Sequence, residues 1–339
     1  MIGSRRNFLQ CGLAMAGAAM LRPISGVAGE QWTLTLYNGQ HAQTTKAVVA
    51  GFLESTGIAV TVRNGSSAQL ASQIAEEGAH SPADVFFSEE SPPLVALADK
   101  GLLAPVDPET LQQIPAVFLA ADGTWVGASA RCRVVAYNKT MVEETDLPPT
   151  IMDFAKPEWK GKVAIVPTSG AFQEQIVAVL KLEGRKAALA WLKGLKENGA
   201  IYNSNSAAMK AVEAGDIATA LINNYYWFSL AAELGADNMK SALHYMGNQD
   251  AGALVTVSGA GILKSAKNPD AAQKFLAYLV SEEGQKIIVK AMAEYPVRAG
   301  IESPYALKPM YDLEPPDISA ADVGDAAEAD ALQREVGLI

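Results

Sequence analysis

The stretch Asn223-Asn224-Tyr225-Tyr226-Trp227 carries the least ordinary chemistry of this chain. An apolar, strand-like run from Ile217 to Ile222 stops at two amides, and a helix-like run from Phe228 to Leu234 follows. A strand that turns directly into a helix delivers side chains to the carboxyl edge of a sheet, where open α/β folds bind ligands. Consecutive residues of a regular helix point about 100° apart, so a loosened first turn is expected to let both phenols reach one centre. A free tyrosine ionises near pH ~10, so only a strongly Lewis-acidic cation would strip a pair of protons near neutrality. Hard oxygen donors match a hard cation such as Fe(III). Ordinary aromatic packing is the competing reading of the same two residues.

Three further strand-to-loop junctions could join them. His41 follows the run Trp32–Tyr37, whereas His80 lies in a polar turn and His244 in a strand, so those two read as structural. Glu89-Glu90 follows the apolar run ending at Phe87. Thr168-Ser169-Gly170-Ala171 opens a helix, where free backbone N–H groups attract anions, although an N-cap needs the same serine. Tyr, Tyr, His and Glu form a coherent hard-metal set, with an anion able to add an oxygen donor. HExxH, GxGxxG, GxSxG and a P-loop lysine are all missing, so nothing positive indicates an enzyme.

The elements that must position these residues alternate. Strands are expected at 32–37, 58–63, 83–87, 162–167, 217–222, 241–246 and 253–263, with short strands and turns across 103–137. Helices are expected at 44–54, from Ser67 as cap, from Thr150 to before Pro157, from 168–171 onward, at 186–196, at 206–214, after Asn268-Pro269, and in the tail 319–336. Such alternation implies βαβ units with helices on both sheet faces. No repeat of 20–50 residues is present. The 339 residues exceed one typical domain, so two lobes joined by crossing strands are expected.

The formal net charge of -10 disfavours nucleic acid and anionic membranes as partners. Ser4-Arg5-Arg6-Asn7-Phe8-Leu9-Gln10 and a mild Gly/Ala-rich run resemble a twin-arginine export signal, with small residues for cleavage at Val27-Ala28-Gly29. Residues 1–29 are therefore read as an export signal, too weak to anchor the mature chain. Without Arg5, Arg6 and Arg22 the charge becomes -13. Cys11 falls in that leader, which leaves Cys132 as a lone, buried and inert thiol, with no disulfide and no thiolate metal site.

Tyr37-Asn38-Gly39-Gln40-His41, Pro82-Ala83-Asp84-Val85-Phe86, Thr168–Phe172, Trp191–Gly199 and Ile222–Trp227 closely resemble the periplasmic ferric-ion-binding proteins, the solute-binding components of ABC iron importers. The resemblance spans about residues 31–310. It implies a two-lobed, hinged α/β fold of the type II periplasmic-binding class, with iron held between the lobes. The lobes are expected at 30–131 plus about 256–306, and at 132–255 plus about 307–339. Residue matching implies His41, Glu89, Tyr225 and Tyr226 as Fe(III) ligands. Ser169, Gly170, Ala171, Asn205 and Asn223 match the positions that hold a synergistic anion, phosphate or (bi)carbonate. Arg131-Cys132-Arg133 would lie near the interlobe crossing. The implied partner is an inner-membrane ABC permease, and the implied state is a periplasmic monomer without catalysis. One departure stands out: a known member of the family has glutamine after the ligand glutamate, where this chain has Glu90. That leaves open which carboxylate binds, and it favours a less charged anion. Two other readings compete. One is an organic-cation receptor with Tyr225, Tyr226 and Trp227 as an aromatic cage. The other is a periplasmic metal-dependent hydrolase.

Overall fold

The computed structural model describes residues 33–320, 322–324 and 326–339. The leader expected at 1–29 and the Trp32 that heads the first expected strand lie outside them.

The chain begins with β1 (Thr33–Asn38), α1 (Ala42–Thr56), β2 (Ala59–Asn64), α2 (Ser67–Glu77), β3 (Val85–Ser88) and α3 (Ser91–Asp99). It continues through β4 (Leu103–Ala104), α4 (Pro108–Leu111) and β5 (Trp125–Asn138). Next come β6 (Val163–Ile165), α5 (Gly170–Asn198), β7 (Ala200–Ile201), α6 (Asn205–Ala214), β8 (Thr219–Asn223) and α7 (Tyr225–Leu234). Then follow β9 (Ser241–His244), β10 (Val255–Leu263), α8 (Pro269–Val280), α9 (Glu282–Ala291), β11 (Tyr295–Pro296) and α10 (Ala327–Val336).

Hydrogen bonding runs β2-β1-β3-β10-β5-β8-β6-β7. β1 pairs in parallel with β2 and β3, and β6 pairs in parallel with β7 and β8. β10 and β5 run antiparallel between these two parallel groups. A parallel pair needs a crossover, usually a helix, and that crossover starts at the carboxyl end of its strand. The alternating pattern Thr-Leu-Thr-Leu in β1 buries Leu34 and Leu36, and the apolar β3 is buried along its length.

β5 departs from expectation. In place of short strands and turns it is a single strand of 14 residues, every one of them buried. Its length follows from its double role. Up to Cys132 it pairs with β10 and β11, and from Arg133 on it pairs with β8 and β9. One strand thus belongs to both halves, and Arg131-Cys132-Arg133 marks the change of partner. Two large apolar cores lie on either side. Leu36, Phe52, Phe86, Phe275 and Leu279 belong to the first, and Phe154, Phe172, Ile176, Trp191 and Leu332 to the second.

Local signals were mostly legible, with corrections. Ser66, not Ser67, caps α2, its side chain accepting from Gln69 N–H. The two helices expected after Ser169 and at 186–196 are both present within the span Gly170–Asn198, separated by the non-helical Gly184. Of the expected tail helix only Ala327–Val336 is helical. It packs on α5, where Lys196 donates to the Val336 carbonyl and Gln173 to Asp330. Asn268 starts α8 without a side-chain cap; its N–H and that of Lys267 bind the buried Asp84 carboxylate instead. Among the described residues no helix is long and apolar enough to cross a membrane.

Gly184 has φ 80° and ψ 165°, a region that costs a side chain about 1–3 kcal/mol. Nothing lies within 4 Å of the Cβ an alanine would add, so the cost would be backbone strain alone. Gly184→Ala is expected to lower unfolding free energy by about 1–3 kcal/mol in chemical denaturation.

Candidate metal centre

Five helix starts supply the expected site residues. His41 is the N-cap of α1, and Glu90 is the N-cap of α3 with Glu89 just before it. Ser169 caps α5, Asn205 opens α6, and Tyr225 and Tyr226 open α7. Each helix follows a strand of a parallel pair, so all five starts lie at strand carboxyl ends, and the contacts below bring them onto one cleft. Their partial positive charges face it.

Glu89 is the meeting point. Its Oε1 accepts from the Tyr225 hydroxyl at 2.7 Å and lies 3.5 Å from His41 Nε2. Its N–H is fixed by Ser67 Oγ at 3.0 Å, which is the work of that serine rather than capping α2. The His41 and Tyr225 rings meet edge-on at 4.9 Å, and Tyr225 and Tyr226 lie 4.4 Å apart. The loosened turn expected at the tyrosines is absent, because Asn224 is already helical (φ -55°, ψ -40°). The phenols converge from a regular first turn. Asn224 holds that turn, accepting from Cys132 N–H and donating to the Ala293 carbonyl.

Of the anion-matching residues, Ser169 Oγ accepts from Phe172 N–H. Asn205 donates to the Tyr226 hydroxyl at 3.3 Å, and Asn223 accepts from Arg133 at 3.1 Å. The Asn223 amide nitrogen and the Asn205 amide oxygen are buried without partners. Glu90 turns away from Glu89 toward Gly170, its Oε1 lying 2.5 Å from where a Cβ on that glycine would sit. His80 is exposed, and His244 pairs with Glu144 at 3.0 Å, so neither belongs to the cleft.

Pattern reading missed Glu294. It is fully buried, with Oε2 accepting from Ser129 at 2.6 Å and Oε1 unpartnered 3.9 Å from His41 Nε2. Its one signal was an acid isolated in the apolar run Ala291–Val297. Glu174, inside α5, is also fully buried with both oxygens unpartnered. The Arg131 guanidinium, also buried, makes no hydrogen bond.

These charges set the protonation states. Burial raises the Tyr225 pKa well above the ordinary phenol value, and Glu89 and Tyr226 add to the rise. Burial, then Glu89, pushes Tyr226 to about 12. Burial and Glu89 lift Glu90 to about 8 against the pull of Arg131. Burial alone would lower Arg131, but Glu174, Glu294 and Glu89 hold it charged. Burial also pushes the Cys132 thiol to about 12, which fits an inert core residue. Among the described residues no group of three or more His, Cys, Asp or Glu side chains is arranged to hold a metal.

The aromatic cage does not form. Trp227 packs edge-on against Phe228 at 5.1 Å and donates its Nε1–H to Ser241, on the far side of α7 from His41. It lines a separate apolar cavity with Leu243 and Tyr305, whereas His41, Tyr225 and Tyr226 line another of about 420 Å³.

Two parallel βα groups threaded by one shared strand, with ligand-bearing helix starts converging between them, define a two-lobed α/β binding protein of type II. The family model for bacterial extracellular solute-binding proteins matches residues 47–311. The chain is 45% identical over 307 residues to the major ferric iron-binding protein of Neisseria meningitidis serogroup B, covering 90% of this chain and 93% of that one. It is 39% identical over 326 residues to the Fe(3+)-binding periplasmic protein of Serratia marcescens, covering 96% of each. The crystal structure of iron-bound HitA from Pseudomonas aeruginosa superposes with a TM-score of 0.88 at 55% identity, covering 90% of this chain and 99% of that one. The chain belongs to the bacterial extracellular solute-binding proteins, in their periplasmic ferric-iron-binding branch.

Replacing Asn224 with alanine strands a buried N–H and a buried carbonyl, a loss of about 1–3 kcal/mol. Asn224→Ala is expected to lower the denaturation midpoint and, by freeing the first turn of α7, to weaken metal binding in the same preparation.

Proposed function

We propose that this protein captures ferric iron in the periplasm and delivers it to an inner-membrane ABC permease. The observation that carries the reading is the single Glu89 oxygen that Tyr225 donates to and His41 faces. In this reading His41, Glu89, Tyr225 and Tyr226 ligate Fe(III). Glu89 is preferred over Glu90 because it shares its neighbours with the phenols and the imidazole. The names of the relatives support the cargo, and the need to recruit phenolates favours a trivalent, hard ion.

Four protein donors leave an octahedral ion short of its full shell. An oxygen-donor anion, phosphate or (bi)carbonate, completes it at the start of α5, with Ser169, Gly170, Ala171, Asn205 and Asn223 around it. The lobes are 30–131 with about 256–306, and 132–255 with about 307–339; the change of partner along β5 between Cys132 and Arg133 supports this division. Residues 1–29 direct export, and the mature monomer binds without catalysing a reaction.

Phenolate-to-Fe(III) charge transfer absorbs visible light, so the loaded protein is expected to be coloured. Tyr225→Phe and Tyr226→Phe should each shift the band and weaken binding, and full colour in the double variant would rule the tyrosines out as ligands.

Both phenol pKa values are raised, so both groups are protonated near neutrality and must lose protons to the ion. Protons therefore compete with metal, and affinity falls as pH falls, about tenfold per pH unit for each proton released. Iron titrations from about pH 8 down to about pH 5 should show that decline. A flat profile would exclude this ligand set.

A further inference from the structure

We infer that the chain ahead of α10 is a latch: residues 315–320, anchored at both ends on the second lobe, hydrogen-bond the first lobe at the turn that carries Glu89 and hold the cleft shut. The inference uses the lobe division proposed above, and iron release is one of its two readouts.

The front anchor is Glu314. Its side chain accepts from the Asn248 N–H at 3.0 Å, and its carbonyl accepts from the Gln249 N–H at 2.9 Å. Gly247, Asn248, Gln249 and Glu314 all have positive φ, at 66°, 51°, 58° and 46°. Residues with side chains keep that conformation only where their surroundings impose it. The two hydrogen bonds do so here, and they clasp the chain to the loop leading from β9 to β10. The rear anchor is α10, bound to α5 by the bonds from Gln173 to Asp330 and from Lys196 to the Val336 carbonyl. Between the anchors Pro315 and Pro316 stiffen the chain. The Ser319 N–H and hydroxyl then donate to the Asp322 carboxylate at 2.9 Å and 2.6 Å, which fixes the backbone that presents Ala320.

Ala320 reaches the other lobe. Its carbonyl accepts from Ser91 Oγ at 3.0 Å, and both residues are buried. Ser91 opens α3, directly after the Glu90 cap. The latch therefore grips the first lobe at the same turn that Tyr225 grips from within the cleft through Glu89. Beside the contact a cavity of about 530 Å³ lies between Ala71, Ala75 and Pro93 on one side and Gln173, Ala326 and Asp330 on the other, which leaves the two sides room to part. Parting exposes Ser91 Oγ and the Ala320 carbonyl to water, so neither goes unmet in an open form. The hydrogen bond thus favours the closed form alone, and its removal strands a buried carbonyl only there.

The test uses the full-length mature protein. The iron-loaded form is mixed with excess chelator, and the decay of its visible band is followed. Ser91→Ala should release iron about two- to tenfold faster than wild type, the span of one buried hydrogen bond. Ser91→Thr keeps the hydroxyl and should stay within about twofold of wild type. Asp322→Ala, a change at an exposed residue remote from every proposed metal donor in sequence, should also speed release. The band maximum should not move in any of the three, because the donors are untouched. Unchanged release in Ser91→Ala and Asp322→Ala overturns the latch. A displaced band in Ser91→Ala overturns it too, since the serine then places Glu89 rather than joining the lobes. The second readout needs no iron: in small-angle scattering, metal-free Ser91→Ala should have a larger radius of gyration than metal-free wild type, and equal radii overturn the inference. A wild type that takes up no iron overturns the ferric reading instead, and the scattering still decides on the latch.

Discussion

Buried negative charge is the constraint on which the cleft depends. Glu174 and Glu294 are fully buried, Glu89 and Glu90 sit beside them, and Arg131, which attracts all four, makes no hydrogen bond among the described residues. Two unit charges about 4 Å apart interact by about 4 kcal/mol at the effective dielectric of a protein edge. Burial and the neighbouring carboxylates lift Glu90 to about 8 and Glu174 to about 7, so these acids are held ionised near neutrality only with compensating positive charge. Here it comes from Arg131, from converging helix starts, and on function from a cation. The phenols answer to the same field. Glu89 keeps Tyr225 protonated and accepts its proton in a hydrogen bond, so a monovalent or weakly acidic cation gains little from the pair. In the proposed ligand set a trivalent ion reverses the balance, because it would stabilise Tyr225, Tyr226 and Glu89 as anions together.

The fold makes that concentration of charge affordable by topology. Parallel strands return through helices, and every return places a helix start at the carboxyl edge. β1, β3, β6, β7 and β8 each contribute one. β5 ties the two groups into one chain of hydrogen bonds, and Arg131 and Arg133, two residues apart on it, point to the same face and are both attracted by Glu174. Arg131 is set among the carboxylates, while Arg133 is bound by Asn223, Gln175 and the Leu221 carbonyl. The strand that joins the lobes is thus also the strand that places positive charge behind the site. Any change of angle between the lobes moves these charges relative to the helix starts.

Legibility followed range. The βα alternation, the helix start at Ser169 and the strand before Tyr225 were readable because each depends on a few neighbouring residues. His41, Glu89, Tyr225 and Tyr226 stood out as donors at strand ends, and the structure brings all four together. β5 was misread because its burial comes from two sheets at once, which erases the alternation that marks a half-exposed strand. Ser67 was misread because Ser66 and Ser67 are equally good caps by type, and only the position of Glu89 decides between them. Glu294 and Glu174 were invisible because a buried acid has no periodicity of its own. Its partners lie 165 residues away in the case of Glu294 and Ser129.

The doublet Glu89-Glu90 shows how much one residue of register decides. In extended chain successive side chains point to opposite sides. Glu90 is extended (φ -119°, ψ 154°), and the pair splits across the cleft, Glu89 to the phenols and Glu90 to the start of α5. The Ser67 hydroxyl on the Glu89 N–H and the Ser88 hydroxyl on the Glu90 carbonyl pin this register from both ends. The same acid therefore meets the phenols at one position and the start of α5 at the next, and two serine hydrogen bonds rather than the chemistry of the side chains fix which is which.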